Sequence, residues 1–135
     1  MTDWNTKIIE QFRAQDGKGV AQFGDSLVLL HHAGARSGTV RVNPLAYYDD
    51  GDRLVIVASR GGAPQNPDWF YNLRANPDAT IEIGADTVRV HATEITGEDY
   101  EKTWARVAAA MPGFAEYQTK TTRRIPLVAL HRVNA

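Results

Sequence analysis

The stretch Asp49-Asp50-Gly51-Asp52-Arg53-Leu54-Val55-Ile56-Val57-Ala58-Ser59 decides how the chain folds. An Asp-Gly pair accepts positive φ at little cost, so Asp49–Asp52 reads as a hairpin turn. The branched apolar run after it makes Arg53–Ser59 the clearest strand of the sequence. Its partner arm is Val40–Tyr48, which contains Pro44. Proline donates no ladder hydrogen bond, so this strand must have an edge or a bulge at that point.

Working outward, Leu27–Leu30 with His31 and His32 reads as the preceding strand, broken by Gly34-Ala35-Arg36-Ser37-Gly38. Ahead of it, Asp3–Ala14 reads as an amphipathic helix. Thr2 or Asp3 is placed to cap it, and Trp4, Ile8 and Phe12 recur at helical spacing. Downstream, Arg60–Pro67 is a loop, and a short helix follows from Pro67 to about Asn76. Strands at Thr80–Gly84 and Val88–Ile95 are joined by Ala85-Asp86. Thr96 caps a helix over Gly97–Ala110, Pro112–Thr121 is a further helical piece, and Pro126–Val133 closes as a strand. Six strands of antiparallel character with helices between them give an α+β class and a small barrel. Its 135 residues form one domain, with the helix at about 3–14 and the barrel at about 26–133.

Composition narrows the function. The net charge is −1, too small a basic field for a default nucleic-acid partner. No cysteine is present, which excludes disulfides, thiolate catalysis and Cys-based metal sites and suits a cytoplasmic setting. No apolar run is long enough for an integral membrane segment. His31 and His32 are strand neighbours that point to opposite faces, so they cannot chelate one metal.

Four regions carry polar or aromatic side chains in patterns that suit a ligand. Two glycines in Gly34–Gly38 allow a tight turn that aims N–H groups at one point, with Arg36 and Ser37 as further donors for an anion. Spacing alone reads the same segment as a plain turn with an exposed arginine. Small residues in Ser59-Arg60-Gly61-Gly62-Ala63-Pro64 let a flat ligand approach the backbone, and Arg60 can meet a second anionic group; a flexible loop is the alternative. Trp69, Phe70 and Tyr71 are core aromatics or a stacking wall. Met111, Phe114 and Tyr117 either line an apolar pocket, with the Tyr117 hydroxyl as proton donor, or pack one end of the barrel.

Five runs occur in one order: Ala33–Gly38, Arg41-Val42-Asn43-Pro44-Leu45, Ser59–Pro64, Pro67–Leu73 and Arg124–Val128. Together they resemble the deazaflavin-dependent nitroreductase family of actinobacteria, a branch of the split β-barrel flavin and deazaflavin oxidoreductases. The resemblance spans about Phe12 to Val133. It implies a split β-barrel that binds coenzyme F-420 and passes hydride from its reduced form to a small electron-poor molecule: an activated C=C, a quinone or a nitro compound.

The resemblance also implies roles. Ala35, Arg36 and Ser37 would hold the coenzyme phosphate. Arg41, Val42, Asn43, Pro44, Leu45 and Ala46 would run along the ring system, met from the next strand by Val57, Ala58, Ser59 and Arg60. Asp68, Trp69, Phe70, Tyr71 and Asn72 would close the other side. Phe114 and Tyr117 would stand near the substrate, with Tyr117 or Ser59 as proton donor. Three positions depart from the family pattern: Ala35 replaces a frequent basic residue, and Met111 and Phe114 stand where nitroimidazole-reducing relatives have tyrosines. A non-catalytic deazaflavin-binding protein and an FMN-dependent split-barrel oxidoreductase are the alternative readings. The sequence leaves the oligomeric state open.

Overall fold

The computed structural model describes residues 2–20 and 24–133. The elements are α1 (Thr2–Ala14), β1 (Leu27–Ala33), β2 (Val40–Asp50), β3 (Arg53–Val57), α2 (Asp68–Ala75), β4 (Asp78–Ile83), β5 (Asp86–Ile95), α3 (Gly97–Ala110), α4 (Pro112–Thr119) and β6 (Leu127–Arg132). The six strands close a barrel in the order β1-β2-β3-β6-β5-β4, and every pairing is antiparallel. The expected α+β split barrel is therefore the observed fold. Thr2, Asp3 and the side chain of Trp4, expected to cap and face α1, lie outside the residues whose side chains are described.

Strands β1, β3 and β6 are apolar on both faces because both faces are covered. Val28, Leu30, Leu54, Ile56, Val128 and Leu130 point into the barrel and pack with Ile81, Val90 and Trp69. The alternate residues Leu27 and Leu29 meet Ile8 and Phe12 of α1. Val55, Val57, Leu127 and Ala129 meet Tyr100 and Val107 of α3. A strand buried on two sides loses its alternation, which is why Leu27–Leu30 reads as a continuous run. Strand β5 has one open face and keeps the alternation, with Val90 and Ala92 inward.

Gly51 and Asp52 make the two-residue turn between β2 and β3, with Asp50 opposite Arg53 and Gly51 at φ 77°. This is the position at which a primed hairpin turn needs positive φ. Arg53 then donates to both oxygens of Asp99 and to Thr103 on α3, and holds the Asp99 carboxyl down at about 2. Some boundaries differ from the sequence reading. Strand β3 ends at Val57, and Arg60–Gly62 forms a single 3-10 turn where a plain loop was expected. The β4–β5 turn is Gly84-Ala85, one residue earlier than expected. Thr96 holds the N-cap position of α3 but its hydroxyl makes no cap bond. Glu98 and Asp99 in the first turn supply favourable negative charge instead.

One seam of the barrel is split. Strand β2 pairs with β1 from Val40 to Ala46, but with β3 only from Tyr47 to Asp50. Residues 40–46 therefore have a neighbour on one side alone. Pro44 lies in this single-sided stretch, opposite Leu29, where a strand tolerates a residue that donates no ladder bond. The proline marks where the barrel opens.

Candidate functional site

The open edge of β2 forms the floor of a groove made of three contiguous depressions. At one end a cavity of about 530 Å3 is bounded by Gly34–Ser37, Arg41, Asp68, Tyr71 and Asn72. A narrower cavity of about 190 Å3 continues from it, shares Arg41 and Asp68, and is floored by His32 and Asn43. That in turn shares Arg60, Pro67 and Trp69 with a cleft of about 590 Å3, walled by Pro44, Leu45, Ala46, Val57, Met111, Phe114 and Tyr117. One end of the groove is cationic and the other is mostly apolar.

The turn at the cationic end is fixed by its own hydrogen bonds and by α2. Gly34 N–H donates to Thr39 O, Gly38 N–H to Gly34 O, and Thr39 N–H to the Ser37 hydroxyl, at 2.9, 2.9 and 3.1 Å. Ala35 N–H donates to Asn72 Oδ1 at 2.9 Å. Ala35 thus anchors the turn and is not a free donor. Among the described residues the N–H groups of Arg36 and Ser37 have no protein acceptor, and the exposed Arg36 guanidinium stands beside them. This concavity presents two backbone donors and one charged fork, a chemistry that suits an anion.

Behind it, buried Asn72 Nδ2 lies 3.0 Å from His32 Nδ1, and His32 Nε2 lies 2.6 Å from Asn43 Oδ1, both at hydrogen-bond distance. The imidazole is 3% exposed, and burial pushes its pKa below the usual histidine value. Asp68, in the first turn of α2, puts a carboxylate near Arg41 and Arg60 in the narrow part of the groove.

The apolar end is held by a second network. Arg60 sits at φ 47°, a left-handed conformation that costs a non-glycine residue about 1 kcal/mol or more. Arg123 imposes it from below. Its guanidinium donates to the carbonyls of Ala58, Ser59 and Ala63 and to Asn66 Oδ1, at 2.7–3.1 Å. Gln118 of α4 in turn donates to Arg123 O at 2.7 Å and accepts from Ile125 N–H at 3.0 Å. Gly62 (φ 84°) lies so close to α4 that a Cβ there would stand 2.8 Å from Tyr117 O. Helix α4 is therefore stapled over the cleft from two directions. Tyr117 meets Phe114 edge-on at 6.1 Å, and Ser59, 7% exposed, opens on the same cleft.

Most of the expected site residues come together in this groove: Ala35, Arg36, Ser37, Arg41, Asn43, Pro44, Leu45, Ala46, Val57, Ser59, Arg60, Asp68, Trp69, Tyr71, Asn72, Phe114 and Tyr117 all line it. Three do not. Val42 alternates to the far face and packs toward α1, while Ala58 and Phe70 belong to the barrel interior. Three other residues hold the site and went unread. Arg123 leaves no local signal, since its partners lie 57–65 residues away in sequence, and Gln118, whose partners are three to seven residues off, sits beside a stretch without regular structure. His32 did leave one, because strand alternation puts it on the inward face with Val28 and Leu30, where a polar side chain needs partners.

A family model described as F420H(2)-dependent quinone reductase matches residues 4–132. A curated F420H(2)-dependent quinone reductase of Mycobacterium tuberculosis is 40% identical over 108 residues, which cover 78% of this chain and 72% of that protein. A solved structure of an F420-H2 dependent reductase (FDR-A) is 37% identical with a TM-score of 0.71, covering 78% of this chain and 94% of that one. Another, described as a domain-swapped dimer, is 34% identical with a TM-score of 0.74, covering 96% and 98%. The deazaflavin resemblance thus holds at the level of cofactor and fold; the family is named for quinone, one of the three acceptors expected from the sequence, and not for nitro compounds.

Proposed function

Because this chain belongs to the F420H(2)-dependent quinone reductase family, we propose that it passes hydride from reduced coenzyme F-420 to a quinone in the cleft beneath Tyr117. The observation that carries the reading is the continuity of the groove. It runs from two unpaired backbone N–H groups and Arg36 at one end to an apolar slot beside an open strand edge at the other.

The residues suit such a coenzyme. Arg36, with the N–H groups of Arg36 and Ser37, fits a phosphate, and Arg41 and Arg60 balance further negative charge along the groove. A chain of net charge −1 can attract an anion only through such a local cluster. The edge of β2 at Pro44–Ala46, with Val57 and Ser59 opposite and Trp69 at the side, makes a slot for a flat ring system. When bound, the reduced coenzyme supplies a hydride, which is its own chemistry. The protein orients the acceptor, excludes water with Met111 and Phe114, and delivers a proton. A quinone that gains a hydride becomes a hydroquinone anion and needs one proton, which the Tyr117 hydroxyl or Ser59 Oγ can give. The cysteine-free composition suits cytoplasmic work, and no helix among the described residues is long and apolar enough to cross a membrane.

The test is anaerobic oxidation of reduced F-420 against a panel of quinones, enones and nitroaromatics, with parallel binding titrations of F-420 and FMN. The reading expects F-420 binding, quinone turnover, and affinity for F-420 weakened by about 1.5–3 kcal/mol in Arg36→Ala. Tight FMN binding without F-420 binding would overturn it. F-420 binding with no turnover on any acceptor would leave a coenzyme-binding protein instead.

A further inference from the structure

We infer that His32 is a positioning residue for the anion-binding turn, and that it acts as the neutral tautomer with its proton on Nε2. The direction of the buried relay follows from its one fixed donor. A backbone N–H can only donate, so Asn72 must turn Oδ1 toward Ala35 and Nδ2 toward His32. His32 Nδ1 therefore accepts, its proton sits on Nε2, and Asn43 accepts it through Oδ1. Asn43 is left with its NH2 group as a donor in the narrow part of the groove. One imidazole thus ties the turn after β1, the middle of α2 and the open edge of β2 into a single frame.

A proton added at Nδ1 would point at the Asn72 NH2 group, donor against donor. Asn72 would have to rotate, and Ala35 N–H would lose its acceptor. The charges around the ring are mixed. Arg41 on β2 and His31 on β1 oppose protonation, Asp68 on α2 and the Asn43 bond favour it, and burial opposes it most. The relay is intact at neutral pH and opens as the solution is acidified.

The inference rests on the proposed coenzyme only for its effect on affinity, so the experiment has a coenzyme-free arm. In the free protein, 15N–1H correlation of the His32 ring reports the tautomer, and the Ala35 amide reports the turn. The expected result is an Nε2–H ring at neutral pH, and a protected Ala35 amide that shifts and loses protection with the same apparent pKa as His32. In the second arm, F-420 affinity is measured against pH for wild type, His32→Gln and His32→Leu. Glutamine can accept from Asn72 and donate to Asn43 without titrating; leucine can do neither.

Affinity in His32→Leu should fall roughly tenfold, about one hydrogen bond's net contribution, while His32→Gln stays within about threefold of wild type. Subtracting the His32→Gln profile from that of wild type should leave an acid-side loss that follows the His32 titration. A ring protonated on Nδ1 at neutral pH, or an Ala35 amide indifferent to His32, would overturn the inference whether or not F-420 binds. Absence of F-420 binding with the expected spectra would overturn the proposed function alone.

Discussion

Arg123 Nη2 donates to the Ser59 carbonyl at 2.7 Å, across 64 residues of sequence. With its bonds to Ala58, Ala63 and Asn66, this one side chain meets four acceptors around a single turn, the Ser59 carbonyl being shared with Gly62 N–H. It also sets where the Ser59 hydroxyl and the left-handed Arg60 enter the cleft.

Replacing Arg123 by Ala should therefore cost more than a surface arginine does. We expect about 2–3 kcal/mol of lost stability in urea denaturation, because several partly buried acceptors lose a charged donor. Lysine brings a point charge without the planar fork and should recover less than half. In either variant the Michaelis constant for the acceptor should rise, since the loop that forms one wall of the cleft is released.

Gly62→Ala tests the second staple. The new methyl would meet Tyr117 O at 2.8 Å and Lys120 Cβ at 2.9 Å, on a backbone at φ 84°. A loss of about 1–3 kcal/mol is expected from strain and forced displacement of α4. Fluorescence of Trp69, which lines the cleft, should shift as the wall opposite it moves.

Tyr117→Phe keeps the edge-on packing against Phe114 and removes only the hydroxyl. If that hydroxyl gives the proton, kcat should fall about 10^2-fold or more with coenzyme affinity unchanged, as for loss of a general acid. Unaltered turnover would move the role to Ser59, which Ser59→Ala then tests.

Acid stability should depend on Glu82. Bonds from Arg13 at 2.8 Å and from His31 at 2.7 Å hold its carboxyl below the usual glutamate range, against the opposing pull of burial. A carboxylate depressed in the folded state adds stability above its unfolded pKa, and this is lost as pH falls through the folded value. Arg13 is half exposed, so the contribution is about 1 kcal/mol or less. Melting curves of Glu82→Gln should be shallower than wild type on the acid limb below about pH 4.5 and lower at pH 7.

The fold was largely legible because its signals are local. Asp50-Gly51 fixed the hairpin, the run Leu54–Val57 its core strand, and Pro44 the place where pairing fails. The cationic end of the site was legible for the same reason, since Gly34–Gly38 carries its turn geometry and its charge together. What stayed hidden depends on contacts far apart in sequence. Arg123 is one of two adjacent arginines, and nothing local says which turns inward. Ala35 reads as a free donor until Asn72 is brought to it from α2. The left-handed Arg60 is set by a loop that folds onto Arg123 and α4, so residue type alone gave no warning of it.

The groove is read as taking an anionic group at its cationic Arg36–Ser37 end and a flat ring below Tyr117. A crystal structure of the protein with oxidised F-420 measures this directly. The phosphate is expected within hydrogen-bond distance of the Arg36 and Ser37 N–H groups, with the ring between Pro44–Ala46, Ser59 and Trp69. A phosphate bound elsewhere, or a ring lying outside the seam between β2 and β3, would contradict it.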